Sequence, residues 1–244
     1  MQGMESFPFS EVSFYLVFVT SKIMGATDTI SELQSLSGNQ TLVSKNGNFE
    51  LGFFTPGNSM NYYLGIWYKD IPVQTVVWVA NRETSSKSTS SLVLHINTTT
   101  KSILLLGHNK TVIWCAIPSR KAQNPVLQLL DSGNLVLKEQ YHDEDPKQYL
   151  WQSFDYPCDT QLPGMKIGKD LRTGFDRSLR AWKDENDPSP GNMTRGIYLT
   201  NWPEPMVWVG SNKYFSNGPW NGVQHSGKPT FKPHPYFVFI FSSN

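Results

Sequence analysis

The chain has 244 residues, room for one large or two ordinary domains, and its 39% hydrophobic and 17% charged residues mark a globular composition rather than a disordered one. With 21 basic against 20 acidic residues the net charge is +1, which excludes an electrostatic case for binding nucleic acid or an anionic membrane surface.

The first element is an apolar run over residues 12–19. It has the length of a signal-peptide hydrophobic region and is too short to span a bilayer. Gly25 and Ala26 follow as small residues at a cleavage position. Glu5 and Glu11 stand where basic residues belong, so residues 1–26 read as a degraded signal peptide. A buried strand or an altered gene start is the competing reading. No later stretch is long and apolar enough for a transmembrane helix.

From there the pattern is that of strands. Short apolar runs are expected as strands over 49–54, 64–68, 75–80, 92–96, 103–106, 112–114, 126–130, 134–137 and 149–151. Gly, Asn, Pro and Ser bound them, and no segment holds apolar residues at helical spacing. A spacing of about ten residues is that of a sandwich, barrel or prism.

A repeat runs through the series. Gly47, Asn48, Phe49, Glu50 and Leu51 resemble Gly133, Asn134, Leu135, Val136 and Leu137, and Ser102 to Leu105 fill the same place in a middle copy. Each Gly-Asn turns the chain into an apolar strand. Each copy then reaches a strand bearing a tryptophan, namely Trp67, Trp114 and Trp151. Three copies predict a pseudo-threefold β-prism with these indoles packed near its axis as core, not as ligand contacts.

Residues 140–148 and 184–192 are polar stretches expected as loops, the second broken by Pro188, Pro190 and Gly191. Strands are expected again over 196–199, 206–209 and 236–241. An apolar strand so close to the end, with nothing after it to pair with, predicts a truncated second domain.

Four N-glycosylation sequons begin at Asn39, Asn97, Asn109 and Asn192. About two or three would arise by chance in a sequence this rich in Asn, Ser and Thr, so they accord with secretion without establishing it. Cys115 and Cys158 are too few for a disulfide framework or a zinc site. They either form one bridge in an oxidising compartment or remain two buried thiols. The five histidines show no metal-ligand spacing, and no cofactor is implied. Asp184, Glu185 and Asp187 read as a solvated turn rather than a glycosidase pair, which needs a fixed separation across a cleft.

Longer motifs carry a family resemblance. Phe49 to Ser59, Tyr63 to Lys69, Val77 to Arg82, Gln128 to Leu137 and Leu150 to Thr160 resemble the bulb-type lectin domain of plant S-domain receptor-like kinases. Leu162 to Met165, Asp187 to Gly191 and Ser216 to Gly222 resemble the start of the S-locus glycoprotein region. The resemblance implies an all-β chain: a β-prism II (bulb-lectin) domain over 27–152, then a partial second lectin-like S-locus glycoprotein domain over 153–244. It also implies a receptor ectodomain that recognises an extracellular peptide, protein or glycan, with pollen recognition as the best-known family role. A receptor oligomer goes with it, and so does an extracellular or secreted place, or the plasma membrane for a full-length receptor. Kinase signatures are absent from this sequence, so no catalysis is expected of it.

Bulb lectins hold mannose on a strand motif Gln-x-Asp-x-Asn-x-Val-x-Tyr, whose period of two sets the polar groups on one sheet face. The matching positions are Ser44, Asn46, Asn48, Glu50 and Gly52; Thr98, Thr100, Ser102, Leu104 and Leu106; and Leu130, Ser132, Asn134, Val136 and Lys138. Gln, Asp and Tyr are missing from every copy. Each lost hydrogen bond costs about 0.5–1.5 kcal/mol. Three losses, one to a charged Asp, total roughly 3–5 kcal/mol, against about 4 kcal/mol for an entire millimolar site. The expectation is that mannose binding is lost; a soluble mannose-type lectin is the alternative.

Overall fold

Alternating apolar residues bury one face of a strand, and three such faces close around one core. The computed structural model describes residues 27–141, 145–199, 202–221 and 225–227. The expected signal peptide, His142, Asp143, Glu144, His234 and the strand over 236–241 lie outside the described residues.

Strands β1 (Thr29–Ser31) and β2 (Ser35–Ser37) precede β3 (Leu42–Val43), β4 (Phe49–Phe54), β5 (Tyr63–Tyr68) and β6 (Val76–Val79). Then come β7 (Val93–Ile96), β8 (Ile103–Leu106), β9 (Val112–Ala116), β10 (Pro125–Leu129), β11 (Leu135–Glu139) and β12 (Trp151–Gln152). They form three antiparallel four-stranded sheets, ordered β3-β4-β5-β6, β2-β7-β8-β9 and β1-β10-β11-β12. The two opening strands leave the first sheet and complete the other two. β1 lies on β10 with Ile30 opposite Leu127, which ties the start of the unit to its last third.

Period two sets the core. Leu51, Leu64, Ile66, Leu94, Ile96, Ile103, Leu105, Leu127, Leu129, Leu135 and Leu137 are all 0% exposed and belong to one cluster. The pseudo-threefold β-prism is thus the observed fold, with almost no helix, as the repeat predicts. The turn residues follow the repeat too. Gly47 and Gly133 adopt φ of +80° and +82°, where a side chain is strained. The middle copy places Lys101 there instead, at φ 59°. Its ammonium is held by Glu32 at 2.6 Å.

The axial tryptophans correct one expectation. Trp78, Trp114 and Trp151 meet edge to face, with ring centroids 5.8–6.1 Å apart and planes 65–77° from parallel. Each sits on the fourth strand of its sheet, β6, β9 or β12. Trp67 lies on the third strand of the first sheet, paired with Glu50 away from the core side chains Leu51 and Ile66. The first repeat carries tryptophans on both strands, and the repeat spacing alone does not choose between them.

After the prism come a small hairpin, β13 (Gly168–Lys169) with β14 (Asp176–Arg177), and a meander β15 (Leu179–Asp184), β16 (Asp187–Tyr198), β17 (Glu204–Val209) and β18 (Asn212–Ser216). The loop expected over 184–192 is mostly strand: β16 begins at Asp187 and has 12 residues. Register shifts flanking the Trp182–Pro190 pair let the ladder run past two prolines that cannot donate to it. Gly191 is required there, because a Cβ would lie 2.5 Å from the Trp182 carbonyl oxygen.

Arg82, just after β6, fastens this strand pair to the prism. Its Nε donates to Pro188 O at 2.6 Å and its Nη2 to Arg180 O and Ala181 O at 3.1 and 3.0 Å. A lysine has no planar fork to reach three carbonyls at once. Arg82→Lys is expected to cost about 1–3 kcal/mol, read as a lowered urea midpoint.

Candidate functional site

The outer faces of the three sheets are the places where the motif positions fall. In the first and third sheets some of the polar groups at these positions bond within the protein.

In the first sheet, Ser44 is buried and its Oγ accepts from the Phe49 N–H at 3.1 Å. Asn46 is exposed and its N–H donates to Asp131 Oδ1 at 2.7 Å. Asn48 is exposed. Gly52 replaces the motif tyrosine, and Trp67 lies across it: a Cβ on Gly52 would sit 2.9 Å from the indole and 2.8 Å from the Thr41 methyl. The indole N–H donates to Glu50 Oε2 at 3.2 Å. Phe54 flanks Trp67 edge-on and also meets Trp182 of β15, so aromatic rings fill this groove.

In the third sheet, Asn134 is 5% exposed and its side chain makes three hydrogen bonds within the protein. Its Nδ2 donates to Gln152 Oε1 at 3.0 Å. Its Oδ1 accepts from Ser153 Oγ at 3.1 Å and from the Phe154 N–H at 3.2 Å. Ser132 Oγ accepts from the Asn134 N–H at 3.4 Å. Val136 is fully buried and Lys138 is 9% exposed.

Of the middle set only Leu106 lines a concavity, one of ≈ 580 Å³ shared with Val93, His95, His108 and Lys110 among others. Ser102 is buried, and Thr98 and Thr100 are exposed in the preceding turn. That turn is closed by Asn97 Oδ1, which accepts from the Thr99 and Thr100 N–H groups.

A larger cleft lies elsewhere. It measures ≈ 680 Å³ and opens between the axial tryptophans and the β14–β16 strands. Both cysteines line it, as free thiols and not as a bridge. Cys158 is buried, and its Sγ accepts from the Val79 N–H at 3.2 Å. Burial pushes its thiol up to about 11, beyond easy ionisation. Cys115 is exposed, which matches neither a bridge nor a pair of buried thiols. Sequence reasoning missed this cleft because its residues come from six separate segments.

Asp184 and Asp187 face each other across the β15–β16 turn. Hydrogen bonds from the Ser189 backbone and hydroxyl hold Asp187 below the usual carboxylate range. That is a turn-capping anion, not an acid poised for proton transfer. Among the described residues no cluster of metal-ligating side chains occurs, and no helix is long and apolar enough to cross a membrane.

Comparison with known proteins agrees with this architecture. The family described as D-mannose binding lectin matches residues 75–183. An S-locus-specific glycoprotein of Brassica oleracea is 40% identical over 240 residues, covering 96% of this chain and 54% of that protein. A receptor-like serine/threonine-protein kinase of Arabidopsis thaliana is 38% identical over 250 residues, covering 100% of this chain and 29% of that protein. The chain therefore spans about half the length of the first relative and under a third of the second. Among solved structures, a monomeric mannose-binding lectin from Gastrodia elata is 16% identical with a TM-score of 0.38, covering 52% of this chain and 94% of its own. The chain is therefore similar over nearly all its length to S-locus glycoproteins and G-type lectin S-receptor-like kinases, and carries a match to the D-mannose binding lectin family within it.

Proposed function

We propose that the chain is a non-catalytic extracellular recognition module of the S-domain receptor type, whose three mannose grooves no longer hold mannose. One observation carries this reading: the Asn134 amide of the third sheet already bonds to Gln152, Ser153 and the Phe154 N–H, and Trp67 lies over Gly52 in the first. A sugar hydroxyl would have to displace those bonds and gain nothing net. The relatives bear names of S-locus glycoproteins and receptor kinases, which supports recognition at the cell surface, in self or pollen recognition or a related signalling role. In that setting Asn39, Asn109 and Asn192, all exposed, are the sequons with room for a glycan, and Asn97 is half-buried in its turn.

Titration with methyl α-mannoside, followed by calorimetry, is expected to give no saturable binding below millimolar concentration. Micromolar binding that is lost on substituting Asn134 or Asn48 would overturn the reading and establish the chain as a mannose lectin.

A further inference from the structure

The cleft between the axial tryptophans and the β14–β16 strands has a floor and a rim of different chemistry. On the floor, Tyr156 stacks on Trp151 with ring centroids 5.8 Å apart and planes 16° from parallel. Trp151 is itself locked in the axial triad. Tyr156 keeps half its surface in solvent, at 50% exposure. Its orientation is fixed from the side as well. Phe175 meets it edge-on at 5.4 Å, Arg177 lies 4.8 Å over Phe175, and the Arg177 Nε binds Asp155 Oδ1 at 2.6 Å. The Asp155 carboxylate also accepts from Gln152 Nε2 at 3.1 Å. The result is a flat, exposed aromatic surface that needs no ordering before a ligand arrives.

The rim decides what ligand suits that surface. Glu83 and Asp176 present exposed carboxylates to the cleft. Its cations are the guanidinium groups of Arg82, which reaches three carbonyls, and of Arg180, whose Nε donates to Gly191 O at 2.9 Å. Against them stand the carboxylates of Glu83, Asp155 and Asp176, so an anionic ligand meets no net positive charge. A purely apolar ligand would strip water from those carboxylates without replacing its hydrogen bonds. A hydroxyl group can donate to a carboxylate, and a pyranose ring offers an apolar C–H face to an aromatic ring. The volume is within the range of small-ligand sites.

We propose that this cleft, floored by Tyr156 and Trp151 and rimmed by Glu83 and Asp176, binds a short neutral oligosaccharide. It is separate from the three outer-face grooves and does not depend on whether they are closed.

Cys115 supplies the readout, since it is exposed and lines the cleft, while Cys158 is buried and stays protonated at neutral pH. The rate of Cys115 alkylation by iodoacetamide is measured in the folded protein with cellotetraose, xylotetraose, tetragalacturonate or a proline-rich tetrapeptide added. The expected result is saturable, several-fold slowing by a neutral tetrasaccharide. Tyr156→Phe keeps that protection, Tyr156→Ala weakens it about tenfold, the scale of one lost stacking contact, and Asp176→Asn weakens it with the fold unchanged by circular dichroism. Protection by no neutral tetrasaccharide, or only by tetragalacturonate or the peptide, would overturn the proposal, as would full protection in Tyr156→Ala. Mannose binding in an outer groove would leave Cys115 alkylation unchanged, so failure of this site and failure of the groove reading are told apart.

Discussion

Trp78→Ala or Trp151→Ala is expected to destabilise the chain by about 3–5 kcal/mol, the cost of removing a large aromatic from a packed core. For a chain of this size that corresponds to a fall in melting temperature of roughly 6–20 °C by calorimetry. The two residues are 3% and 7% exposed, and each indole meets the other two edge to face. Trp78 loses more than packing, because its N–H donates to Tyr156 O at 2.9 Å and so joins the prism to the chain that follows. A double-mutant cycle between Trp78 and Trp151 is expected to show a coupling of about 0.5–1.5 kcal/mol beyond area burial. Leu33→Ala, by contrast, is expected to stay within about 0.5 kcal/mol, since that side chain is 95% exposed. Equal losses for Trp78 and Leu33 would show that the triad is not the centre of the core.

The strands were legible because their burial is periodic. Phe49–Phe54 and Ile103–Leu106 fall where the pattern places them to the residue, since each is an apolar run bounded by a turn. The same rule misread Asp187–Asn192, whose prolines and charges look like a loop in isolation. That segment is strand because the bulges around Trp182–Pro190 and the Arg82 fork satisfy its carbonyls, and both partners are remote in sequence. The repeat revealed the threefold prism but misassigned Trp67, because strand order within a repeat is a tertiary fact. Residues at the motif positions showed that the mannose set had changed. They did not show that Trp67 had moved into the space over Gly52, which requires the diagonal neighbour on an adjacent strand. The aromatic cleft left no sequence signal at all, since Tyr156, Phe175 and Cys115 converge only in the fold.

The second large effect tests what the degenerate motif is now for. Asn48 and Asn134 occupy the same repeat position, after Gly47 and Gly133 at nearly identical φ. Were both still sugar contacts, substitution of either would change binding and leave stability alone. The structure assigns them different work. Asn48 is exposed, and only its main-chain oxygen has a described bond, from the Lys69 N–H at 3.0 Å. Asn134 is buried, and its side chain joins Gln152, Ser153 and the Phe154 N–H, with Ser153 Oγ in turn accepting from the Leu135 N–H at 2.9 Å. Asn134→Ala strands a buried backbone donor and a hydroxyl at once, each costing about 1–3 kcal/mol, so a total of roughly 2–6 kcal/mol is expected from urea unfolding. Asn48→Ala is expected to fall within about 0.5 kcal/mol. Asn134→Asp keeps the acceptor but loses the Gln152 donor bond and puts a carboxylate in a buried site, so it recovers little of the loss. A large loss at Asn48, or none at Asn134, would contradict the role of the Asn134 amide as a strand-to-turn brace.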